Sequence, residues 1–274
     1  MGGALARESS EDLFVGEAKR LAGDAAGAIA DYDEALRLKP RRAGALVGRA
    51  WAKLNAGDKD GCVADASRAL ELDPTRADAF ECRGHAKRRA GDAAGAIADY
   101  DEALRLKPRL AGALVGRAAA KLDAGDQDGC LADASRALEL DPTSAHAFEC
   151  RGDAKRLAGD AAGATADYDE ALRLKPRRAG ALVGRAWAKL DAGDQDGCLA
   201  DASRVLELDP TRADAFRCRG EAKRRAGDAA GAIADFDEAL RLDPRFAGAL
   251  AGRAWAKLGA GDQDGCLADA SRAL

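Results

Sequence analysis

The side chains with the greatest potential for chemistry, histidine and cysteine, are few and poorly arranged for it. The only two histidines are His85 and His146, which excludes a multi-histidine metal site. The seven cysteines alternate in spacing between 20 and 48 residues, without a C-x-x-C pair. We therefore expect neither a metal ion nor a cofactor.

The cysteines fall into two sets with different expected environments. Small buried side chains are the expectation for the first set, whereas the second set could reach a groove surface. The first set is Cys62, Cys130, Cys198 and Cys266, and the second is Cys82, Cys150 and Cys218.

No other group of residues forms a catalytic set. The carboxylates recur at helix caps and solvated faces, and the glycines occupy helix ends or packing positions rather than a phosphate-binding loop. No nucleophile can be paired with a general base. We expect a protein that is not an enzyme.

Composition and charge narrow the classes of partner. The chain has 274 residues, 43 basic and 47 acidic, which gives a net charge of −4 and argues against a nucleic-acid binder. No stretch is long and apolar enough for a membrane span, and the N-terminus does not resemble a signal peptide. The odd number of cysteines then favours a reducing, cytoplasmic location.

The elements that position these residues repeat with a period of 34 residues. A Gly-Asp pair recurs eight times at that step. The seven prolines, from Pro40 to Pro244, are also 34 residues apart. Units also alternate between two kinds, odd and even, with near-identity at a step of 68 residues. A fixed period of this length is typical of a repeat protein.

Each unit predicts two helices. In the unit that starts at Ala43, the first helix is expected to run roughly from Ala45 to Ala56. Gly57 can adopt the left-handed conformation that ends a helix, and Asp58 can cap the next one. The second helix is expected to reach Leu72, because Pro74 cannot continue it.

The repeated residues closely resemble the tetratricopeptide repeat (TPR) family. The unit that starts at Ala77 carries the family's preferred residues at Phe80, Gly84, Gly91, Ala96, Tyr100, Ala103 and Pro108. The resemblance implies an all-α fold, a right-handed solenoid or superhelix of eight helical hairpins. It also implies a protein–protein interaction scaffold that binds a peptide segment or a partner helix in a concave groove.

The resemblance divides the chain into an N-terminal tail, residues 1–8, and a single TPR array, residues 9–274. The first repeat has a more charged outer face, which suits a terminal cap. The repeats span 9–42, 43–76, 77–110, 111–144, 145–178, 179–212, 213–246 and 247–274, the last one truncated.

One departure from the family pattern predicts an ion pair. Position seven is arginine in seven units, and position 23 of the facing helix is always aspartate. We predict a pair within each repeat, for instance Arg83 with Asp99. The first repeat has Val15 at position seven, so Asp31 should lack an arginine partner there.

The groove residues follow from the positions that the family uses for peptides. Tryptophan and arginine are frequent hot spots of protein interfaces. The tryptophans at position nine either project into the groove or fill the space left by alanines such as Ala66. The candidates are Trp51, Trp187, Trp255, Val47, Leu54, Glu81, His85, Arg88, Arg89, Glu149, Arg217, Arg224 and Arg225.

Alternatives to a groove binder remain open. The clamp that co-chaperones of this family use needs Asn at position nine, and no unit has it. The chain could instead self-associate through the uncapped C-terminal end, in a heterologous contact. It could also be the recognition module or a fragment of a larger multidomain enzyme or co-chaperone.

Overall fold

The computed structural model describes residues 15–273, and all the secondary structure in that range is helical. The chain forms two compact units, Met1–Pro142 and Thr143–Leu274. The predicted tail, residues 1–8, and the start of the proposed cap lie outside the described residues.

The helices of the first unit alternate with short turns. The described part of α1 covers residues 15–21. The others are α2 (Ala25–Leu38), α3 (Ala43–Asn55), α4 (Lys59–Leu72), α5 (Ala77–Arg89), α6 (Ala93–Leu106), α7 (Ala111–Asp123) and α8 (Gln127–Leu140).

The second unit repeats this alternation. Its helices are α9 (Ala145–Leu157), α10 (Ala161–Leu174), α11 (Ala179–Asp191), α12 (Gln195–Leu208), α13 (Ala213–Arg225), α14 (Ala229–Leu242), α15 (Ala247–Gly259) and α16 (Gln263–Ala273).

Each hairpin turns at a glycine followed by a capping aspartate, as predicted. Gly57 has a φ of +87°, a left-handed conformation that side chains other than glycine rarely adopt. The next residue, Asp58, accepts a hydrogen bond from the amide of Gly61 at 2.8 Å. This side chain satisfies one of the free amides at the start of α4.

A buried aromatic ring packs its own hairpin against the next one. Tyr100 in α6 is fully buried and lies against Gly84 in α5 and Gly116 in α7. A Cβ atom on Gly116 would lie 2.5 Å from the ring of Tyr100. Glycine at this position therefore lets α7 approach the ring closely.

The predicted ion pairs are confirmed. Arg83 binds Asp99 through both carboxylate oxygens, with its Nε at 2.9 Å and Nη2 at 2.6 Å, and Asp99 is buried. In the first repeat, which has Val15 at position seven, Asp31 is bound instead by the ammonium group of Lys19 at 2.8 Å. The other arginine pairs are Arg49–Asp65, Arg117–Asp133, Arg151–Asp167, Arg185–Asp201, Arg219–Asp235 and Arg253–Asp269.

Some of these arginines also bind the preceding hairpin. Arg117 in α7 pairs with Asp133 in α8 and donates its Nη1 to Asp101 in α6, at 2.6 Å each. Lys121 approaches Asp133 to 2.8 Å from the other side. The network thus joins consecutive hairpins by charge as well as by packing. No helix within residues 15–273 has the length and apolar character needed to cross a membrane.

Candidate functional site

The strongest candidate site lies in the second unit, on the first helices of three successive hairpins. Helix α13 lies between α11 and α15 and packs against both. Their side chains line a cavity of about 330 Å³. Its principal polar and aromatic residues are Trp187, Arg217, Glu221, Arg224, Arg225 and Trp255.

Two glycines and a phenylalanine complete the wall of this cavity. Gly248 and Gly252 of α15 both line it, with Phe236 of α14 beneath them. A Cβ atom on Gly252 would lie 2.5 Å from the fully buried ring of Phe236. The close approach of helix and ring therefore leaves backbone, rather than side chains, facing the cavity here.

Arg217 is the charged group with the fewest partners in the cavity. Its guanidinium carbon lies 4.2 Å from the centroid of the Trp187 ring and 5.4 Å from that of Phe246. Its Nε is buried without a hydrogen-bond partner in the described part of the chain. Burial lowers the pKa of Arg217, but an arginine stays charged at neutral pH.

The other charged groups of this cavity are paired. Glu221 accepts hydrogen bonds from Arg224 at 2.7 Å and from Arg225 at 2.9 Å. Burial raises the pKa of Glu221, but these two hydrogen bonds outweigh it and the net shift is downward. With three arginines against one glutamate, the cavity is positively charged.

The corresponding face of the first unit is balanced in charge. Its cavity, about 350 Å³, is lined by Val47 and Trp51 together with four charged groups. These charges are paired: Arg20 with Glu17 at 2.5 Å, and Arg76 with Asp78 at 2.5 Å. Its composition therefore gives no preference for an anion.

The tryptophans combine packing with access to solvent. Trp51 is half-buried against the core and contacts the ring of His85, with 5.4 Å between the centroids. Trp187 is half-buried beneath Arg217, whereas Trp255 is 62% exposed. A tryptophan at this position can therefore pack against the core and still expose part of its ring to the groove.

The remaining candidates are scattered and engaged locally. Glu81 lies over Gly112, and burial raises the pKa of Glu81 to about 7. Each of the others has a partner of its own. Glu149 pairs with Arg178, Arg88 pairs with Asp123 at 3.1 Å, and Arg89 donates to the carbonyl oxygen of Leu54 at 2.9 Å.

Two expectations from the sequence are wrong. Leu54 is only 1% exposed and packs with Cys62 and Cys82, so it is a core residue rather than a groove contact. The second set of cysteines does not reach a groove surface. Cys82, Cys150 and Cys218 are buried, because small side chains are needed where neighbouring helices approach closely.

The sequence also left several cavity residues unassigned. Phe236 matched the family's aromatic packing position, whereas Gly248 and Gly252 occupy peptide-binding positions of the family but have no side chain to suggest a contact. Phe246 could have been noticed in the sequence, because the equivalent residues of the two preceding units are the arginines Arg178 and Arg212. Among residues 15–273, no group of three or more histidine, cysteine, aspartate or glutamate side chains is arranged to hold a metal ion.

The repeated hairpins of helices define the class of protein as an α-solenoid. No family model and no curated protein sequence matches the chain. Among solved structures, it resembles a tetratricopeptide repeat protein from Parabacteroides merdae, with 20% identity and a TM-score of 0.67. That match covers 84% of this chain and 91% of the other.

Two further structures support the same fold. The APC/C hetero-tetramer Cut9-Hcn1 matches with a TM-score of 0.80 and 16% identity, over 87% of this chain and 47% of the other. YrrB, described as a TPR protein with an unusual peptide-binding site, matches with a TM-score of 0.50 and 21% identity. That match covers 68% of this chain and 95% of YrrB. With its 34-residue helical hairpins, the chain has the fold of the tetratricopeptide repeat proteins.

Proposed function

We propose that the chain is a non-enzymatic scaffold that binds a peptide segment of a partner protein across α11, α13 and α15. The observation that carries the proposal is Arg217, a half-buried cation stacked on Trp187 without a carboxylate partner among the described residues. A desolvated arginine on an aromatic ring is well suited to receive a carboxylate. The expected partner therefore supplies an acidic side chain or a C-terminal carboxylate.

The residues around Arg217 support the binding of an acidic peptide. Trp187 and Trp255 offer aromatic surface on either side of α13, and Arg224 adds a second positive charge to the cavity. The peptide-binding site of YrrB, a protein of the same fold, supports the choice of a peptide as the partner.

We also infer a cytoplasmic location for the chain. The cysteines support this location. The Sγ atoms of Cys62 and Cys82 lie 3.3 Å apart as free thiols, and those of Cys198 and Cys218 lie 3.4 Å apart. A reducing compartment preserves such thiols. Nucleic acid and membranes are not expected partners, given the net charge of −4.

Selection of peptides from a random display library tests the proposal. The wild-type chain should enrich peptides with Asp, Glu or a free C-terminal carboxylate, and the Arg217→Gln variant should lose this preference. Arg204→Gln is the matched control, because it removes one positive charge from an exposed position of the second unit. Equal enrichment of acidic peptides by wild type and Arg217→Gln would refute the role of Arg217.

A further inference from the structure

Two glutamates of the chain occupy equivalent places in their repeats. Glu81 in α5 lies over Gly112 in α7, and Glu149 in α9 lies over Gly180 in α11. At both glycines the carboxylate occupies the space that a Cβ atom would need. The two contacts can therefore be compared residue by residue, although one belongs to the first unit and the other to the second.

The two glutamates differ in the cation beside them. Arg178, the residue before α11, donates its Nε to Glu149. The residue before α7 is Leu110, which has no charge to offer Glu81. Glu81 therefore has the surroundings of an ion pair, but the chain does not supply the arginine.

The charged groups around Glu81 do not replace this arginine. Burial raises the pKa of Glu81 to about 7, and the negative charge of Asp78 adds to the rise. Lys107 acts in the opposite direction, but its side chain is exposed and forms no ion pair with Glu81 in the part of the chain that the structure describes. A cation bound directly to the carboxylate would offset the cost of ionising it.

A second polar group without a partner lies in the same repeat. The hydroxyl of Tyr100 is buried and has no hydrogen-bond partner within residues 15–273. Its equivalent, Tyr168, donates to Asp153 at 2.6 Å, whereas Tyr100 meets the ring of His85 with 5.4 Å between the centroids. Burial raises the pKa of Tyr100, and the negative charge of Glu81 contributes to the rise, so the carboxylate acts on this hydroxyl.

We propose that Glu81 is a binding site for an arginine side chain of a partner protein. The guanidinium takes the place that Arg178 holds beside Glu149. An arginine suits the site because it is weakly hydrated, pairs with carboxylates through two hydrogen bonds and retains donors for the oxygen of Tyr100. Gly112 is exposed and Glu81 is partly exposed, so the site is open to solvent.

This site selects a charge opposite to that selected by the Arg217 cavity. It rests on Glu81 and its surroundings in the first unit, and it does not require the proposed binding of an acidic peptide in the second unit.

The probe is a capped pentapeptide with one arginine among glycine and serine residues. Its matched control carries citrulline, in which an uncharged urea group replaces the guanidinium. Binding at pH 8 is followed by NMR through the backbone amide of Gly112 in protein labelled with ¹⁵N-glycine. The arginine peptide should shift this signal saturably and bind roughly tenfold more tightly than the citrulline peptide. Equal affinity of the two peptides, or no shift with either, overturns the proposal.

A variant that fills the site from within the chain tests the same claim. Leu110→Arg copies Arg178 and should pair with Glu81, so the arginine peptide should no longer shift the signal of Gly112. Ala132→Arg is the matched control, because it adds the same charge at an exposed position of α8 and should leave binding unchanged. Undiminished binding of the arginine peptide to folded Leu110→Arg overturns the proposal.

Glu81→Gln keeps the test decisive if Leu110→Arg does not fold. It removes the negative charge with little change in shape and should weaken binding of the arginine peptide roughly tenfold. Unchanged affinity would contradict the role of Glu81. Arg217→Gln should retain the binding at Gly112, which distinguishes a failure of this site from a failure of the acidic-peptide site.

The second unit offers the reciprocal experiment. Arg178→Leu removes the internal partner of Glu149 and reproduces the surroundings of Glu81. The arginine peptide should then shift the amide signal of Gly180, which it leaves unchanged in the wild type. A variant that folds but gains no such shift overturns the proposal, since the missing arginine would not be what creates the site.

Discussion

At the scale of single residues, buried carboxylates fall into two kinds according to the cations that face them. Asp99 is bound by Arg83 and Lys87, with both cations within 2.8 Å. Glu81 has no such partner within the described chain, and burial raises the pKa of its carboxyl group to about 7, with a smaller contribution from Asp78. The facing cations offset the cost of burying the paired aspartates, whereas Glu81 costs stability when ionised.

This difference predicts how stability depends on pH. The pKa of Glu81 rises from 4.5 to about 7 on folding, so the folded state holds a proton between these pH values that the unfolded state releases. The contribution of Glu81 to the free energy of unfolding therefore falls as pH rises from about 4.5 to about 7. Above pH 7, Glu81→Gln should raise the free energy of unfolding. Its effect there should exceed its effect near pH 4.5 by up to about 3 kcal/mol.

Urea denaturation at pH 5 and pH 8 measures this effect. Glu139→Gln is the control, since Glu139 is an exposed partner of Arg136. A Glu81→Gln effect that is the same at both pH values would contradict the assignment.

At the scale of helices, glycines at contact positions let a helix pack closely against an aromatic ring of the neighbouring hairpin. Gly116 meets the buried ring of Tyr100, whereas Gly259 has open space around the position of a Cβ atom. Both lie in first helices of even units, but only the first is packed against an aromatic ring.

Alanine substitutions at these two glycines should have opposite effects. Gly116→Ala forces Tyr100 or α7 to move, and we expect a loss of about 1–3 kcal/mol in stability. Gly259→Ala should be neutral or stabilising by up to about 1 kcal/mol, because alanine favours a helix. Thermal unfolding followed by circular dichroism compares them, and equal melting temperatures would refute the close-packing account.

The regular part of this fold was predictable because the repeat encodes it locally. Gly57 and Asp58 end one helix and cap the next wherever the pair recurs, and the Arg83–Asp99 pair follows from two fixed positions on facing helices. The stacking of Arg217 on Trp187 and Phe246 was not predictable. It depends on side-chain orientation across three helices, and arginine occupies position five only in that unit.

At the scale of the whole molecule, the arginine of every second repeat joins its hairpin to the preceding one by an ion pair. Arg117 joins α6 and α8 through Asp101 and Asp133, and Asp133 is buried. Since each repeat contacts mainly its neighbours, such links contribute to the coupling between them.

Removal of one arginine should therefore destabilise the array. Arg117→Met leaves Asp133 buried with Lys121 alone, and we expect a loss of about 3 kcal/mol, at the low end for a broken buried pair. Arg136→Met breaks only an exposed pair and should cost less than about 1 kcal/mol. Urea denaturation compares the two, and equal losses would contradict a structural role for the network.

The face formed by α11, α13 and α15 is the proposed peptide-binding surface, and the fluorescence of Trp187 reports on its occupancy. The Trp51→Phe, Trp255→Phe double variant leaves Trp187 as the only tryptophan, directly beneath Arg217. Titration with an acidic peptide from the display selection should change this emission in a saturable manner, and Arg217→Gln should weaken the apparent affinity at least tenfold. Saturable binding of the peptide detected by calorimetry, with no change in Trp187 emission and no effect of Arg217→Gln, would place the peptide elsewhere.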